Sequence, residues 1–120
     1  EQACAVLSAR PGKAMRARTA EEPEAVGNFL YDFRAAFTNY ETYYRFDPYR
    51  ETLLGPDQVL AIRAFADSVV TLLSEHEAEE NHVIETYGVS FSKIRRFAVA
   101  LRLVCDAAVE QGCGLAGIGD

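Results

Sequence analysis

One stretch, from Pro56 to Tyr87, restricts the fold of this chain more than any other. Gly55 and Pro56 mark its beginning, because proline suits the first helical turn, where its missing N–H would have no partner. Gly88 marks its end, because glycine readily adopts the left-handed conformation that closes a helix. In between, residues recur at alternating spacings of three and four, the repeat of a helical face that packs against neighbours: Val59, Ile62, Ala66, Val69, Leu73, His76, Glu80, Val83 and Tyr87. One long helix is therefore predicted over this stretch.

The same repeat occurs upstream in a more aromatic form. Glu24 places a carboxylate where it stabilises a helix start, and Asp47 precedes Pro48, which disfavours helical backbone at the residue before it. The positions in between follow the three–four spacing: Val26, Leu30, Phe33, Phe37, Tyr40 and Tyr44. A second long helix is predicted from Glu24 to Phe46.

A third helix is predicted downstream, between Ser90 and Gly112. Serine is favoured at a helix N-cap, and glycine just after a helix end. Its buried face would consist of Phe91, Ile94, Phe97, Ala98, Leu101, Val104, Cys105, Ala108 and Val109. Together these patterns predict an all-α fold, an antiparallel up-down helical bundle of three long helices, which the N-terminal segment or dimerisation would complete to four.

The chain of 120 residues is expected to be one domain. Residues 1–23 are predicted to form a basic arm, residues 24–111 the bundle and residues 112–120 a flexible glycine-rich tail. The net charge is −6, although the first twenty residues are basic. Because phosphate contacts need a basic surface, the acidic body argues against nucleic acid as a partner.

Neither the hydropathy nor the cysteines suggest a membrane or a metal. No apolar run approaches the roughly 18 residues that a membrane-spanning helix requires. Cys4, Cys105 and Cys113 lack metal-ligand spacing, and Cys105 falls in a helical apolar pattern, where it is expected to be a small buried residue. A reducing, cytoplasmic location is the expectation, with no cofactor.

Two positions of the long repeat are polar, His76 and Glu80. One turn apart on the apolar side, they form an inward pair, and an isolated buried carboxylate would be too costly unless it were paired, protonated or coordinated. In the simpler interpretation, Glu80 forms an ion pair with Arg95 or Arg96 and His76 is its hydrogen-bonded neighbour. In the other, His76 and Glu80 bind a metal ion.

The run from Leu72 to Ile84 resembles the second helix of hemerythrin-like domains, in which a His-x-x-x-Glu pair precedes two apolar residues. His76 and Glu80 would be that pair, and the resemblance implies an iron-binding helical bundle. Such domains use further histidines on three other helices, whereas His82 is the only other histidine of this chain. Glu79 and His82 match the Glu-x-x-His pattern of ferritin-like bundles, but they lie on the outward flank. Two ligands fall short of the four of a closed zinc site, and we expect less than one metal ion per chain.

An aromatic and arginine-rich segment follows the upstream repeat and is the predicted interaction surface. Tyrosine and arginine are enriched in binding hot spots. The residues are Tyr40, Tyr43, Tyr44, Arg45, Tyr49 and Arg50. Alternatively, these aromatic residues close the end of the bundle, with the arginines stacked on them.

The chain offers no catalytic motif. None of its serines lies in a Gly-x-Ser-x-Gly sequence, and its C-terminal glycines follow a helix, whereas a phosphate-binding loop precedes one. The sequence therefore predicts a non-enzymatic interaction or regulatory subunit that forms a homodimer through one of the first two helices or binds another protein. The alternative is a metal- or small-ligand-binding bundle centred on His76 and Glu80.

Overall fold

Helices dominate the computed structural model, which describes residues 3–8, 19–46 and 50–118. The helices are α1 (Glu24–Asp32), α2 (Tyr40–Tyr43), α3 (Pro56–Glu75), α4 (Glu80–Tyr87) and α5 (Phe91–Gln111), with 3₁₀ turns at Arg34–Ala36 and Glu77–Glu79. The strands are β1 (Ala3–Ser8), β2 (Thr19–Glu21), β3 (Thr52–Leu54) and β4 (Gly114–Ile118). The prediction of a mostly helical protein is thus confirmed.

The sheet is a correction to the all-α prediction. Its strands lie in the order β2-β1-β4-β3; β1 pairs in parallel with β2 and with β4, and β4 pairs antiparallel with β3. The predicted basic arm thereby contributes two strands, and the predicted flexible tail contributes a third. Two glycines of that tail fit close packing: a Cβ at Gly114 would clash with the carbonyl oxygen of Leu54, and one at Gly117 with the ring of Phe46.

The predicted helix from Glu24 to Phe46 is interrupted after its first nine residues. Phe37 is extended (φ −104°, ψ 146°), and Asn39 is left-handed (φ 58°, ψ 29°), a conformation that asparagine tolerates better than most residues. The Asn39 amide donates to the carbonyl oxygen of Ala61 (3.3 Å), and the Thr38 N–H donates to Ser68 Oγ (3.0 Å). These contacts with α3 hold the turn that divides the apolar repeat into α1 and α2.

The predicted helix from Pro56 to Tyr87 is interrupted at His76 (φ −125°, ψ 33°). The break coincides with a run of carboxylates. Glu75 and Glu79 are one turn apart, and like charges at that spacing destabilise a helix. Carboxylates near the C-terminal end of α3 also oppose its dipole. Helical backbone resumes at Glu80, on the far side of a 3₁₀ turn.

The local signals at the other helix ends are confirmed. Ser90 Oγ accepts the N–H of Lys93 (3.2 Å) at the start of α5. Gly88 (φ 72°) and Gly112 (φ 68°) are left-handed at the ends of α4 and α5. Pro56 opens α3. Side-chain caps and positive-φ glycines depend on neighbouring residues only, so they can be identified from the sequence.

The core lies between the two long helices and the sheet. Helices α3 and α5 pack against each other, α5 contacts β1 and β2, and α3 contacts β4. Cys105 is buried in this core, as predicted, and burial raises the pKa of its thiol to about 12. The largest fully buried side chains are Phe65, Leu30, Ile62, Leu73, Ile94, Leu101 and Leu115.

Candidate functional site

The site is built on two tyrosines of α2 that face the core. Tyr40 and Tyr43 are 9% and 5% exposed. The ring of Tyr43 stacks on Phe65 of α3, with centroids 4.5 Å apart and planes 15° apart, and Tyr40 meets the same ring edge-on at 5.8 Å. Burial raises the pKa of Tyr40 to about 12. Both side chains are thus buried, because the turn at Asn39 directs them inward, and their part in an interaction surface stays a prediction.

A partly buried carboxyl group lies beside these rings. Glu22 follows β2, and its Oε2 accepts a hydrogen bond from the Tyr43 hydroxyl. Burial raises the pKa of Glu22, an effect that this hydrogen bond partly offsets, and the pKa of Tyr43 lies well above its ordinary value, chiefly through burial. Gly27 makes the arrangement possible, since a Cβ there would clash with Glu22 Oε1. The pair links the end of β2 to α2.

Above this layer lies an exposed surface, which we call the Tyr–Arg face: Tyr31, Arg34 and Tyr44. Tyr31 is 44% and Tyr44 63% exposed, and their ring centroids are 6.0 Å apart. The Arg34 guanidinium carbon lies 4.1 Å from the centroid of the Tyr31 ring, and Arg34 Nη1 donates to the carbonyl oxygen of Tyr31 (2.7 Å). Stacking and hydrogen bonding together hold the guanidinium on the ring. Tyr40, 5.7 Å from Tyr44, connects this face to the buried layer.

The predicted interaction residues therefore separate into groups. Tyr44, Arg45 and Arg50 are exposed, whereas Tyr40 and Tyr43 are not. Tyr49 lies outside the described residues. The prediction missed Tyr31 and Arg34, which lie off the apolar repeat. Their spacing of three was the available signal, since a helical turn brings such residues to one side.

His76 and Glu80 have separate partners. The His76 side chain is 47% exposed, and its Nδ1 lies 3.2 Å from Glu79 Oε2. Glu80 Oε2 accepts the N–H of Phe91 (2.9 Å) at the start of α5, where a carboxylate stabilises the helix. This contact takes the place of the predicted ion pair with an arginine of that helix. Because the helix breaks at His76, the two residues do not share the continuous turn that the sequence predicted. Within the described ranges, no three His, Cys, Asp or Glu side chains are grouped so that they could hold a metal ion.

An open groove of about 420 Å³ runs between α3 and the stretch that connects α1 to α2. Ala36 and Thr38 line one side, close in sequence to Arg34. On the other side, α3 contributes Ala64, Asp67, Ser68, Thr71, Leu72 and Glu75. At the Glu75 end lies a second exposed surface, which we call the acidic turn: Glu75, Glu77 and Glu79. The groove therefore has an arginine near one wall and carboxylates at the end of the other.

Comparison with known proteins returns no relative. No protein-family model matches the sequence, and neither the curated proteins nor the solved structures contain a match. Among the helices of the described part of the chain, none combines the length and apolar character needed to cross a membrane.

Proposed function

We propose that the protein is a non-enzymatic interaction module and that it binds a protein partner through the Tyr–Arg face. The supporting observation is the exposure of Tyr31 and Tyr44 side by side, with Arg34 stacked on one of the rings. Tyrosine and arginine contribute most of the binding energy in many interfaces, because they supply large contact areas and directed hydrogen bonds. Aromatic area exposed to water is unfavourable in the isolated chain, and a partner would cover it.

The support beneath the face favours binding. Tyr44 packs on Tyr40, and α2 is anchored by Tyr43 through its stacking on Phe65 and its hydrogen bond to Glu22. Side chains that are already ordered lose less conformational entropy when they enter an interface. The buried layer thus acts as a rigid base for the exposed one.

Arg34 and Arg45 also differ from two arginines of the long helices α3 and α5. Arg63 pairs with Asp106 (3.3 Å), and Arg102 pairs with Asp67. By contrast, no carboxylate of the described residues pairs with Arg34 or Arg45. Their charges are free to meet an acidic group on a partner.

The alternative function, a metal- or small-ligand-binding bundle, rested on His76 and Glu80. Their separate partners, Glu79 and the N–H of Phe91, give it no further support among the described residues. The interaction function is the one that the contacts favour.

Photo-crosslinking of the full chain tests this function. Benzoylphenylalanine replaces Tyr44, which preserves an aromatic ring at the centre of the face, and the protein is irradiated in an extract of its native cells. We expect one discrete adduct, which Arg34→Ala in the same chain removes. Benzoylphenylalanine at Leu103, an exposed position of α5, is the control and should give no such adduct. Adducts of equal yield at both positions, or an adduct at position 44 that Arg34→Ala leaves unchanged, would refute the function.

A further inference from the structure

We propose that the partner is a second copy of this chain, and that the Tyr–Arg face of each copy binds the acidic turn of the other. The proposal rests on the function proposed above, since it assigns an occupant to the same face. The two contacts would be equivalent and related by a twofold axis.

The Tyr–Arg face and the acidic turn carry complementary charges. Arg34 of the face and Arg45, the residue after Tyr44, are exposed and have no carboxylate partner in the described residues. The acidic turn places three exposed carboxylates within five residues, and among the described residues they contact one basic side chain, that of His76, which lies beside Glu79. Bringing such a turn to an arginine on an aromatic ring would relieve the mutual repulsion of its carboxylates.

The positions of the two surfaces in the fold also support the proposal. The Tyr87 hydroxyl donates to Asp32 Oδ2 (2.6 Å), and its ring lies 6.1 Å from that of Phe33, so the end of α1 adjoins the end of α4. The acidic turn precedes the other end of α4. Its Glu75 lines one wall of the open groove, and Ala36, two residues after Arg34, lines the opposite wall. The groove therefore leads from the segment that carries Arg34 to the acidic turn.

The groove that leads from one surface to the other favours a twofold axis for the assembly. When two complementary patches lie side by side, a twofold axis between them pairs each patch with the other one on the second copy, and the assembly closes. Two exposed apolar side chains, Phe33 (39%) and Ile84 (40%), lie on the adjoining segments and would be covered. An aromatic and apolar centre with charged pairs around it is the usual composition of a stable interface.

Charge reversal tests the proposal by sedimentation velocity on the full chain. The basic reversal is Arg34→Glu with Arg45→Glu, and the acidic reversal is Glu75→Arg with Glu77→Arg. We expect the wild-type chain to sediment as a dimer at tens of micromolar, and each reversal to weaken the dimer at least about tenfold, because like charges then face each other. An equimolar mixture of the two reversed chains should dimerise again, since every contact then joins opposite charges.

A control matched to the basic reversal changes two exposed cations elsewhere, Lys93→Glu with Arg96→Glu, which alters the net charge by the same amount and should leave the dimer intact. Circular dichroism checks that each variant is folded. A wild-type monomer at all concentrations would overturn the second-copy proposal, while an Arg34-dependent crosslink from position 44 to another protein would still uphold the interaction function. A dimer that the control weakens equally, or that mixing fails to restore, would overturn the assignment of the two surfaces.

Discussion

The α3–α5 pair and the segment from α1 to α2 began from the same sequence signal and ended differently. Both carry apolar residues at spacings of three and four, yet α3 and α5 run for 20 and 21 residues, whereas the first segment is divided by a left-handed residue, Asn39. Two arginines of the long helices, Arg63 and Arg102, pair with aspartates across their contact. The first segment instead leaves tyrosines and arginines exposed. We therefore call α3 and α5 the frame and propose that the first segment is a binding surface.

Phe65 joins the two regions and should show the largest effect. It is fully buried on α3 and contacts the rings of Phe37, Tyr40 and Tyr43. Phe65→Ala should lower the free energy of unfolding by about 3–5 kcal/mol, because it removes a large ring and leaves a cavity. Chemical denaturation measures this loss. Leu60→Ala, at an exposed position of the same helix, is the control, with an expected change within about 0.5 kcal/mol. Similar losses would mean that the two regions do not share this core.

The hydrogen bond between Tyr43 and Glu22 should contribute more to stability than the one between Tyr87 and Asp32. Tyr43→Phe leaves the partly buried Glu22 without its donor and should cost about 1–3 kcal/mol. Tyr87→Phe removes a comparable bond to Asp32 at the surface, where water replaces the donor, and should cost less than about 0.5 kcal/mol. Equal costs in chemical denaturation would show that Glu22 is as well hydrated as Asp32.

The pH dependence of stability should reveal the same carboxyl group. Because burial raises the pKa of Glu22 in the folded state, the folded chain retains a proton that the unfolded chain has released. Its contribution to stability is therefore fully present below the ordinary pKa of 4.5 and is lost as pH rises through the higher folded-state pKa. Glu22→Gln keeps an acceptor for Tyr43 and abolishes the titration, so the variant should become more stable relative to wild type as pH rises above 4.5. A difference in unfolding free energy that is constant from pH 4 to pH 8 would contradict this assignment.

A small effect is expected at the acidic run. Glu80→Gln removes a charge from the start of α5 and should cost about 0.3–1 kcal/mol. Glu79→Gln removes a surface contact with His76 and should stay below about 0.5 kcal/mol. Thermal melts of both variants at low salt compare them. A cost of several kcal/mol at Glu80 would restore the prediction of a buried ion pair.

Local signals in the sequence were sufficient for the start of α3, the end of α4 and both ends of α5, because Pro56, Gly88, Ser90 and Gly112 act within a turn. The sheet could not be predicted in this way. Strand β4 pairs with strands distant in sequence, and the glycines that suggested flexibility serve a close approach to Leu54 and Phe46. Contacts over such separations are absent from a pattern of spacings.

The candidate site could be predicted only in part, because it too depends on contacts between residues distant in sequence. Tyr44 and Arg45 are exposed, as the prediction of an interaction surface requires. Tyr40 and Tyr43 are directed inward by the turn at Asn39, which depends on hydrogen bonds with α3. Glu22 could not be found, since its environment arises only when β2, α1 and α2 meet.

We propose that the Tyr–Arg face serves binding and contributes little to the stability of the fold. The unfolding free energy of Tyr44→Ala, measured by chemical denaturation at a protein concentration where the chain is monomeric, tests it most directly. We expect the unfolding free energy to stay within about 0.5 kcal/mol of wild type, since the ring is largely exposed. A loss of 2 kcal/mol or more, as for a core aromatic residue, would show that Tyr44 belongs to the frame and would contradict the claim.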